Sequence, residues 1–355
     1  MQIIFKRKSK DPVKLSEKRA VVLYSEEEKL HSPNREWNFG RTMPYPENEE
    51  RGQTIINTIK KHDYGSLLHQ TRQFDDSYIK AVHDNDMVQH IKSCMDLDEG
   101  QAVYPHVFPY HQFSRRGDVN LRAAGYFCFD VGTQIQKHTY RAAKAAADIA
   151  LDGALCIREK RNNIVFGLCR PPGHHADYNA YGGYCYFNNA AIAANVLAGD
   201  MRTAILDLDF HHGNGTQGLF YENPHILYVS IHGDPRVTYP YFSGFADESG
   251  SRLGRGYNIN IPLTGHVDDK VYRNHLKDAL KKIKAYGTEI LIVSIGFDTY
   301  YADPLGDFDL SSGFYHEMGY RIQQNFPCTL ALLEGGYDIE DLGLNAVNFL
   351  KGLLG

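Results

Sequence analysis

The stretch that decides the fold is Thr203–Gln217, which reads TAILDLDFHHGNGTQ. Its first half is a short apolar run that ends in the alternating acids Asp207 and Asp209, a pattern typical of a buried β-strand. Its second half, His211–Gly215, is polar and rich in glycine and predicts the loop that leaves this strand. In an open sheet of parallel strands, ligands bind outside the carboxyl ends of the strands. We therefore expect a functional site in this loop.

The end of this strand carries two potential metal ligands. Asp209 and His211 are two residues apart, so their side chains leave an extended backbone on the same side. A carboxylate and an imidazole on one face are two of the three protein ligands of a catalytic zinc site, which keeps its fourth position open. The motif would equally fit a strand whose charged end is merely solvated. The rest of the chain has to decide between these interpretations.

Length and composition limit the classes of protein to consider. A chain of 355 residues can form two average domains or one large α/β domain. Its net charge of −5 gives no basic footprint for nucleic acid. Six scattered cysteines without a Cys-x-x-Cys pair argue against a disulfide framework or a structural zinc knuckle and favour reduced thiols. The amino terminus does not resemble a signal peptide, and no apolar stretch approaches the length of a membrane span. We expect a cytoplasmic protein without a nucleic-acid or membrane partner.

Strand and helix patterns alternate along most of the chain. Strands are predicted over residues 2–5, Ala20–Tyr24, Ile164–Cys169, Thr203–Asp209, Ile226–Ile231, Glu289–Ile295 and Cys328–Leu333. Helices are predicted over Glu49–Lys61, Asp76–Asp96, Thr139–Asp152, a segment ending at Leu197, Asp269–Tyr286 and Gly313–Asn325. Long loops are predicted over Ser25–Pro46 and Gly100–Gly125. This order predicts an α/β fold, a mostly parallel β-sheet sandwiched by helices, with the active site at the carboxyl ends of the strands. With no linker in the sequence, residues 1–355 are expected to form a single domain with an inserted loop at about 100–125.

Loops after other strands place further potential ligands and proton carriers at the same edge of the sheet. Asp298 follows the strand Glu289–Ile295 and supplies the third ligand, and two carboxylates with one imidazole suit Zn²⁺. His174 and His175 follow Pro-Pro-Gly in the loop after Ile164–Cys169, and histidine can accept and donate a proton near neutral pH.

Tyr337, flanked by glycines after the last strand, could place its hydroxyl against a developing oxyanion. In isolation, a tyrosine packed under its loop would be the better interpretation of Tyr337.

Read together, these motifs resemble the histone deacetylase superfamily of zinc-dependent amidohydrolases, and most of all its bacterial acetylpolyamine amidohydrolases. The matching stretches cover nearly the whole chain: Arg170–Ala176 (RPPGHHA), Gly182–Asn189 (GGYCYFNN), Ile205–Gln217 (ILDLDFHHGNGTQ), His232–Pro235 (HGDP), Ile295–Pro304 and Glu334–Tyr337 (EGGY). The fold implied is of the arginase/deacetylase type. The activity implied is hydrolysis of the amide of an N-acetylated alkylamine.

The resemblance also implies roles for individual residues. It assigns zinc (Fe²⁺ could replace it) to Asp209, His211 and Asp298, proton transfer to His175, electrostatic support to His174, and carbonyl polarisation to Tyr337. It implies a structural monovalent cation, usually potassium, near Asp207 and Ser230. Asn214 stands where some members have an aspartate facing the second histidine, and a neutral partner should leave that histidine less basic. Gly183, Tyr184 and Tyr239 are assigned to a narrow channel that holds the substrate's methylene chain.

The substrate is less well defined by the sequence. Acetylpolyamines and acetyl-lysine share the end that enters the channel. Leu305 stands where one polyamine-selective branch of the superfamily has a carboxylate, and Arg115, Arg116 and Arg122 lie near where bacterial relatives carry acids. An acetylpolyamine deacetylase is favoured, and an acetyl-lysine deacetylase stays open. A zinc-binding subunit without activity is a further alternative, but binding alone would need neither the two histidines nor Tyr337.

The loop Gly100–Gly125 predicts an assembly. It contains Tyr104, Phe108, Tyr110 and Phe113, which would be costly to leave in water, and aromatic residues are enriched in interface cores. In the amidohydrolase branch a comparable insertion mediates a dimer and narrows the channel mouth. The resemblance therefore implies a homodimer that admits slender acetylated amines.

Overall fold

A parallel β-sheet forms the centre of the protein. The computed structural model describes residues 20–109 and 118–355. The strands in this part are β1 (Ala20–Tyr24), β2 (Arg35–Asn38), β3 (Arg41–Pro44), β4 (Leu68–Gln70), β5 (Ala102–Val103), β6 (Ile135–Gln136), β7 (Ile164–Gly167), β8 (Thr203–Asp207), β9 (Ile226–Gly233), β10 (Asn258–Leu263), β11 (Ile290–Ile295) and β12 (Thr329–Leu333). Eight of them form one sheet in the order β10-β9-β8-β11-β12-β7-β1-β4, and every neighbouring pair is parallel.

Helices cover both faces of this sheet. They are α1 (Glu50–Lys61), α2 (Ser77–Lys80), α3 (Asn85–Lys92), α4 (Ala124–Phe127), α5 (Thr139–Arg158), α6 (Asn189–Leu197), α7 (Asn214–Phe220), α8 (Asp269–Ala285), α9 (Ser312–Asn325) and α10 (Ile339–Leu354). Short 3₁₀ helices span Glu26–Leu30, Gly65–Leu67, Ser93–Asp96, Leu121–Ala123 and Arg252–Gly254. No helix in the described ranges is long and apolar enough to cross a membrane.

The central strand β8 shows why the sheet needs a layer of helices on each face. All five of its residues are buried, as expected for a parallel strand covered on both faces. Ala204 and Leu206 join the apolar cluster under α1, α8, α9 and α10, whereas Ile205 joins the cluster under α5 and α6. Burying each such aliphatic side chain contributes about 1.5–3 kcal/mol relative to its exposure to water. The predicted single-domain α/β fold is confirmed.

The sheet topology brings the ends of β7, β8, β11 and β12 to one edge. In the register of β8, Asp207 stands opposite Ser294 of β11 and Ser230 of β9. β12 pairs with β11 on one side and with β7 on the other. The four loops that the sequence marked as functional therefore leave neighbouring strands in the same direction.

Two predicted elements were wrong in their local structure. Ser25–Pro46 is not a continuous loop, because Ser25 caps the 3₁₀ helix Glu26–Leu30 and the hairpin β2–β3 follows. The hairpin turns at Phe39 and Gly40, whose φ angles of 46° and 77° lie in the left-handed region. The predicted helix Asp76–Asp96 is broken at Asp84, which has extended backbone and caps the new helix α3 by accepting the amides of Asp86 and Met87.

Several elements were missed or lie outside the described residues. β4, β10, α7 and α10 had no assignment from the sequence; β10 carries Pro262 within an edge strand, which weakened its strand pattern. The predicted strand at residues 2–5 falls outside the described ranges, as do Tyr110, Phe113, Arg115 and Arg116 of the inserted loop. All six cysteines are buried free thiols.

Candidate active site

Three ligand atoms converge at the ends of β8 and β11. His211 Nδ1 lies 3.3 Å from Asp209 Oδ1 and 3.0 Å from Asp298 Oδ2. Asp209 and Asp298 are fully buried and His211 is partly buried. One ligand atom from each residue lies within 4.8 Å of the other two. The predicted ligand set is therefore brought together in space.

Burial and mutual contact shift the pKa values of these three residues. Burial and the neighbouring Asp209 carboxylate raise the pKa of Asp298 to about 7. Burial would lower the pKa of His211, but its hydrogen bonds to Asp209 and Asp298 raise it to about 9. Two buried carboxylates and one imidazole facing a common point suit a divalent cation with nitrogen and oxygen ligands, and Zn²⁺ fits this donor set.

Glycines allow the two carboxylates to pack closely. A Cβ atom at Gly296 or at Gly335 would clash with the carboxylates of both Asp209 and Asp298. The Gly335 amide donates to Asp209 Oδ2 at 2.7 Å, and the Phe210 amide donates to Asp298 Oδ1 at 2.9 Å. Glycine is thus needed at both positions, because a larger residue would displace the two carboxylates.

The histidine pair lies beside this ligand set in two different environments. The rings of His174 and His175 are 4.0 Å apart between centroids. His174 Nδ1 lies 3.2 Å from Asp207 Oδ2, and its Nε2 lies 3.8 Å from Asp209 Oδ1. Burial would lower the pKa of His174, but the charges of Asp209 and Asp207 raise it to about 10. His174 is therefore set up to carry a positive charge.

His175 is held in the neutral form instead. Burial, the charge of His174 and that of His211 depress the pKa of His175 well below its usual value. Its Nδ1 lies 2.7 Å from Asn214 Oδ1, at the first residue of α7. An amide oxygen only accepts, so Nδ1 carries the proton and Nε2 keeps its lone pair. A neutral imidazole with a free Nε2 is equipped to accept a proton.

Tyr337 is held from two sides. Its ring lies under the Arg51 guanidinium, 4.8 Å from Cζ to centroid, and its amide donates to Asp303 Oδ2 at 2.5 Å. Arg51 is fully buried and donates to the carbonyls of Gly336 and Glu334 at 2.6 Å each. Burial raises the pKa of Tyr337, so its hydroxyl stays protonated and can donate.

Two residues that support the site, Arg51 and Glu334, had no role predicted for them. Glu334 Oε2 accepts the amides of Gly173 and His174 at 2.7 and 3.1 Å, and Oε1 accepts the Ser294 hydroxyl at 2.9 Å. Glu334 therefore fixes the loop that carries the two histidines. The position of Glu334 at the end of β12 could have indicated a role in the site. Nothing in the sequence around Arg51 indicates that its side chain contacts Tyr337.

Asp207 and Ser230 face each other across β8 and β9. Asp207 Oδ2 accepts the Tyr228 hydroxyl at 2.9 Å as well as contacting His174. The Ser230 hydroxyl lies 2.7 Å from His232 Nδ1. The structure thus brings together the two side chains assigned to a monovalent cation, and potassium at this position stays a prediction.

Aromatic rings surround the approach to the ligand set. The ring of Tyr239 lies edge-on to His175 and His211, at centroid distances of 5.0 and 6.1 Å. Tyr184 lies edge-on to Tyr337 at 5.9 Å. A Cβ atom at Gly183 would clash with the His175 ring, and its φ of 56° is also one that favours glycine.

Leu305 is half-buried in the loop that follows Asp303. Its amide donates to Asp303 Oδ1 at 2.9 Å. Its apolar side chain supplies no charge, so negative charge near the channel has to come from other residues.

Comparison with known proteins identifies the family of this chain. Residues 45–353 match the family model of the histone deacetylase domain. The chain is 39% identical over 342 residues to acetylpolyamine amidohydrolase 2 of Pseudomonas aeruginosa, covering 94% of this chain and 99% of that protein. It is 37% identical over 342 residues to the acetylpolyamine amidohydrolase of Mycoplana ramosa, with the same coverage.

Solved structures give the same result. The crystal structure of acetylpolyamine aminohydrolase from Burkholderia pseudomallei superposes with a TM-score of 0.88 at 33% identity, covering 94% of this chain and 98% of that chain. The HDA15 HD domain superposes with a TM-score of 0.81 at 31% identity, covering 94% and 91%.

The matched relatives are amidohydrolases, so this chain belongs to the class of hydrolases that act on acetylated amines. Within that class, this chain belongs to the histone deacetylase domain family.

Proposed function

We propose that this protein is a zinc-dependent deacetylase that hydrolyses N-acetylated primary alkylamines to acetate and the free amine, with acetylpolyamines of the acetylputrescine or acetylcadaverine type as its substrates. The observation that carries the proposal is the convergence of Asp209, His211 and Asp298 beside a charged and a neutral histidine. A binding protein would need the metal ligands but not this pair.

Zinc would be held by Asp209, His211 and Asp298, and when bound it supplies the electrophile that polarises the acetyl carbonyl and acidifies water. Fe²⁺ could take the same ligands. Asp207 and Ser230 would hold the structural potassium ion.

The residues of the chain provide the proton transfers. His175 accepts a proton at Nε2 from the attacking water as the new carbon–oxygen bond forms. It then returns the proton to the amine nitrogen as the carbon–nitrogen bond breaks. His174, charged and paired with Asp207, stabilises the negative charge that develops nearby. The Tyr337 hydroxyl donates a hydrogen bond to the carbonyl oxygen as that oxygen gains negative charge.

Two carboxylates near the aromatic rings favour a cationic substrate. The Tyr184 hydroxyl is hydrogen-bonded to Glu36, and the Tyr239 hydroxyl donates to Asp130 at 2.9 Å. Across residues 20–109 and 118–355, no lysine or arginine forms an ion pair with either acid. Burial raises the pKa of Glu36 to about 7, and a nearby ammonium group would favour the charged form of that acid. A substrate with a second ammonium group would therefore be attracted to these two acids, and a neutral amide would not.

An acetyl-lysine deacetylase is the second candidate, because the superposition on the HDA15 HD domain is also close and Leu305 supplies no charge. The two are separated by kcat/KM for acetylputrescine, acetylcadaverine, acetylspermidine and acetyl-lysine peptides, measured on the same zinc-loaded enzyme. Higher values for the acetylated diamines support the proposal. Higher values for the peptides would overturn the substrate assignment and leave the deacetylase chemistry standing.

The protein is proposed to act as a cytoplasmic homodimer. The described part of the inserted loop exposes 68% of Val107 and 42% of Phe108, and the β2–β3 hairpin exposes 89% of Phe39. Val107 and Phe108 are adjacent in the chain, and a contiguous exposed apolar patch is a feature of interaction sites. A second copy covering them would narrow the mouth of the channel and favour slender substrates.

A further inference from the structure

One acidic side chain outside the metal site gathers an unusual number of hydrogen bonds. Asp130 follows α4 and accepts five N–H or O–H donors, besides a weak contact from the Cys128 thiol. Its Oδ1 accepts the amides of Gly132 and Thr133 at 3.0 and 2.7 Å. Its Oδ2 accepts the Thr133 hydroxyl at 3.1 Å, the Gly183 amide at 2.6 Å and the Tyr239 hydroxyl at 2.9 Å. A carboxylate has about four lone-pair sites for such bonds, so this group is saturated.

The bonds from Oδ2 join segments that are distant in the sequence. Gly183 lies in the loop between β7 and α6, whereas Tyr239 lies in the loop after β9. The Thr133 hydroxyl extends the network, because it accepts the amide of Tyr184 at 2.9 Å. Asp130 is thus tied, directly or through Thr133, to all three residues that the sequence assigned to the channel wall.

These wall residues also touch the reacting centre. The Gly183 backbone packs so closely on His175 that a Cβ would overlap the imidazole. The Tyr239 ring is edge-on to His175 and to His211. A shift of either wall residue would change the space through which a methylene chain reaches the metal site. Residues that line a catalytic or binding site have to be held within about 0.5 Å of their productive positions.

We propose that Asp130 is a positioning residue that sets the width of the alkyl-chain channel by holding Gly183, Tyr184 and Tyr239 against each other. It acts through these residues and does not touch the reacting atoms. The inference rests on the proposed function, since it assumes that the substrate reaches the metal between these rings.

An asparagine at this position offers a sharp test. Asp130→Asn keeps the size and one acceptor oxygen, but its amide nitrogen would face groups that are themselves donors. In one orientation that nitrogen would face the Gly183 amide, and in the other it would face the Gly132 and Thr133 amides. Backbone amides cannot accept, so either orientation would displace the segments that Asp130 joins. Tyr239→Phe is a milder second variant, because it removes only the bond from the ring to Asp130. Glu317→Gln is the control, because it removes a carboxylate that bonds Arg273 and Arg321 on α8 and α9 and not the channel wall.

The measurement is the Kd of two neutral zinc-binding probes on the zinc-loaded enzymes. Octanohydroxamic acid must pass its chain through the channel, whereas acetohydroxamic acid occupies only the metal site. Because both probes are uncharged along the chain, the comparison reports channel geometry and not charge. We expect Asp130→Asn to weaken octanohydroxamate about tenfold, the loss typical of one hydrogen bond to a charged group. Tyr239→Phe should weaken it about threefold, as for a weaker bond. Acetohydroxamate binding and zinc content should stay unchanged in both variants, and the Glu317→Gln control should bind both probes as the wild type does.

Each other outcome overturns the inference. Equal weakening of both probes would show damage to the metal site, and no weakening would show that the walls do not depend on Asp130. If Asp130→Asn fails to fold, Tyr239→Phe decides between the same outcomes. A wild-type enzyme that binds neither hydroxamate would instead contradict the proposed metal site, so the two failures are distinguishable.

Discussion

The Oδ1 atom of Asn214 lies 2.7 Å from Nδ1 of His175, so an uncharged amide orients the proposed proton carrier. We predict that Asn214→Asp raises the pKa of His175, because a carboxylate within hydrogen-bonding distance favours the charged imidazole by about 1–3 pKa units. The reaction needs neutral His175 and activity rises as pH passes through its pKa. The acidic limb of the kcat/KM profile should therefore move to higher pH by about one unit or more. A limb that stays in place would mean that another group is the base.

Tyr337 is expected to act through its hydroxyl alone. Removing it with Tyr337→Phe keeps the ring under Arg51, so substrate should still bind and zinc content should not change. Loss of an oxyanion donor typically costs about 10²–10³ in kcat. Tyr300→Phe is the matched control, since the Tyr300 hydroxyl bonds Asp341 at 2.7 Å, and neither residue belongs to the proposed site. A Tyr337→Phe enzyme within a few-fold of wild type would exclude the assigned role.

The sequence allowed the metal-ligand residues to be predicted, but not the residues that hold the surrounding loops in place. Asp209, His211 and Asp298 follow apolar strands, and parallel strands bring such loops to one edge, so their meeting could be inferred from the sequence. Asp130 contacts residues 53 and 109 positions away, and Arg51 contacts a carbonyl 285 positions away. Contacts of that range depend on how irregular segments pack, and the local sequence does not encode them. The broken helix at Asp84 was missed for the opposite reason, because one capping side chain overrode a helical pattern.

The exposed apolar residues of the inserted loop should bury themselves in a dimer. We predict that the wild-type protein is a dimer in light scattering and that the double variant Val107→Asp, Phe108→Asp is a monomer. An aspartate buried in an apolar interface would lose its hydration, and the dimer would be destabilised. Val237→Asp is the control: Val237 is 76% exposed in a different loop, so that variant should stay dimeric. A monomeric wild type, or a doubly substituted protein that still dimerises, would remove the loop from the interface.

His83 gives the fold a dependence on pH. It accepts the Asn188 amide at 2.8 Å through Nε2 and is buried, and burial lowers its pKa to about 4. The folded state therefore binds fewer protons than the unfolded state between pH 6.5 and about 4, and stability falls as pH is lowered through this range. The loss should reach about 3 kcal/mol. We expect urea titrations of His83→Gln to show a shallower decline between these pH values than wild type, although the variant is less stable at pH 7. Parallel curves would show that His83 does not control the transition.

The most direct test of the proposed function is acetate release from N-acetylputrescine by metal-depleted protein before and after one equivalent of Zn²⁺ is added. The expected result is no turnover without the metal, full turnover at one zinc per chain, and loss of both tight zinc binding and turnover in Asp298→Ala, which leaves two of three ligands. Activity that survives complete metal removal, or an Asp298→Ala protein that keeps stoichiometric zinc and near-normal activity, would contradict the assignment of the site.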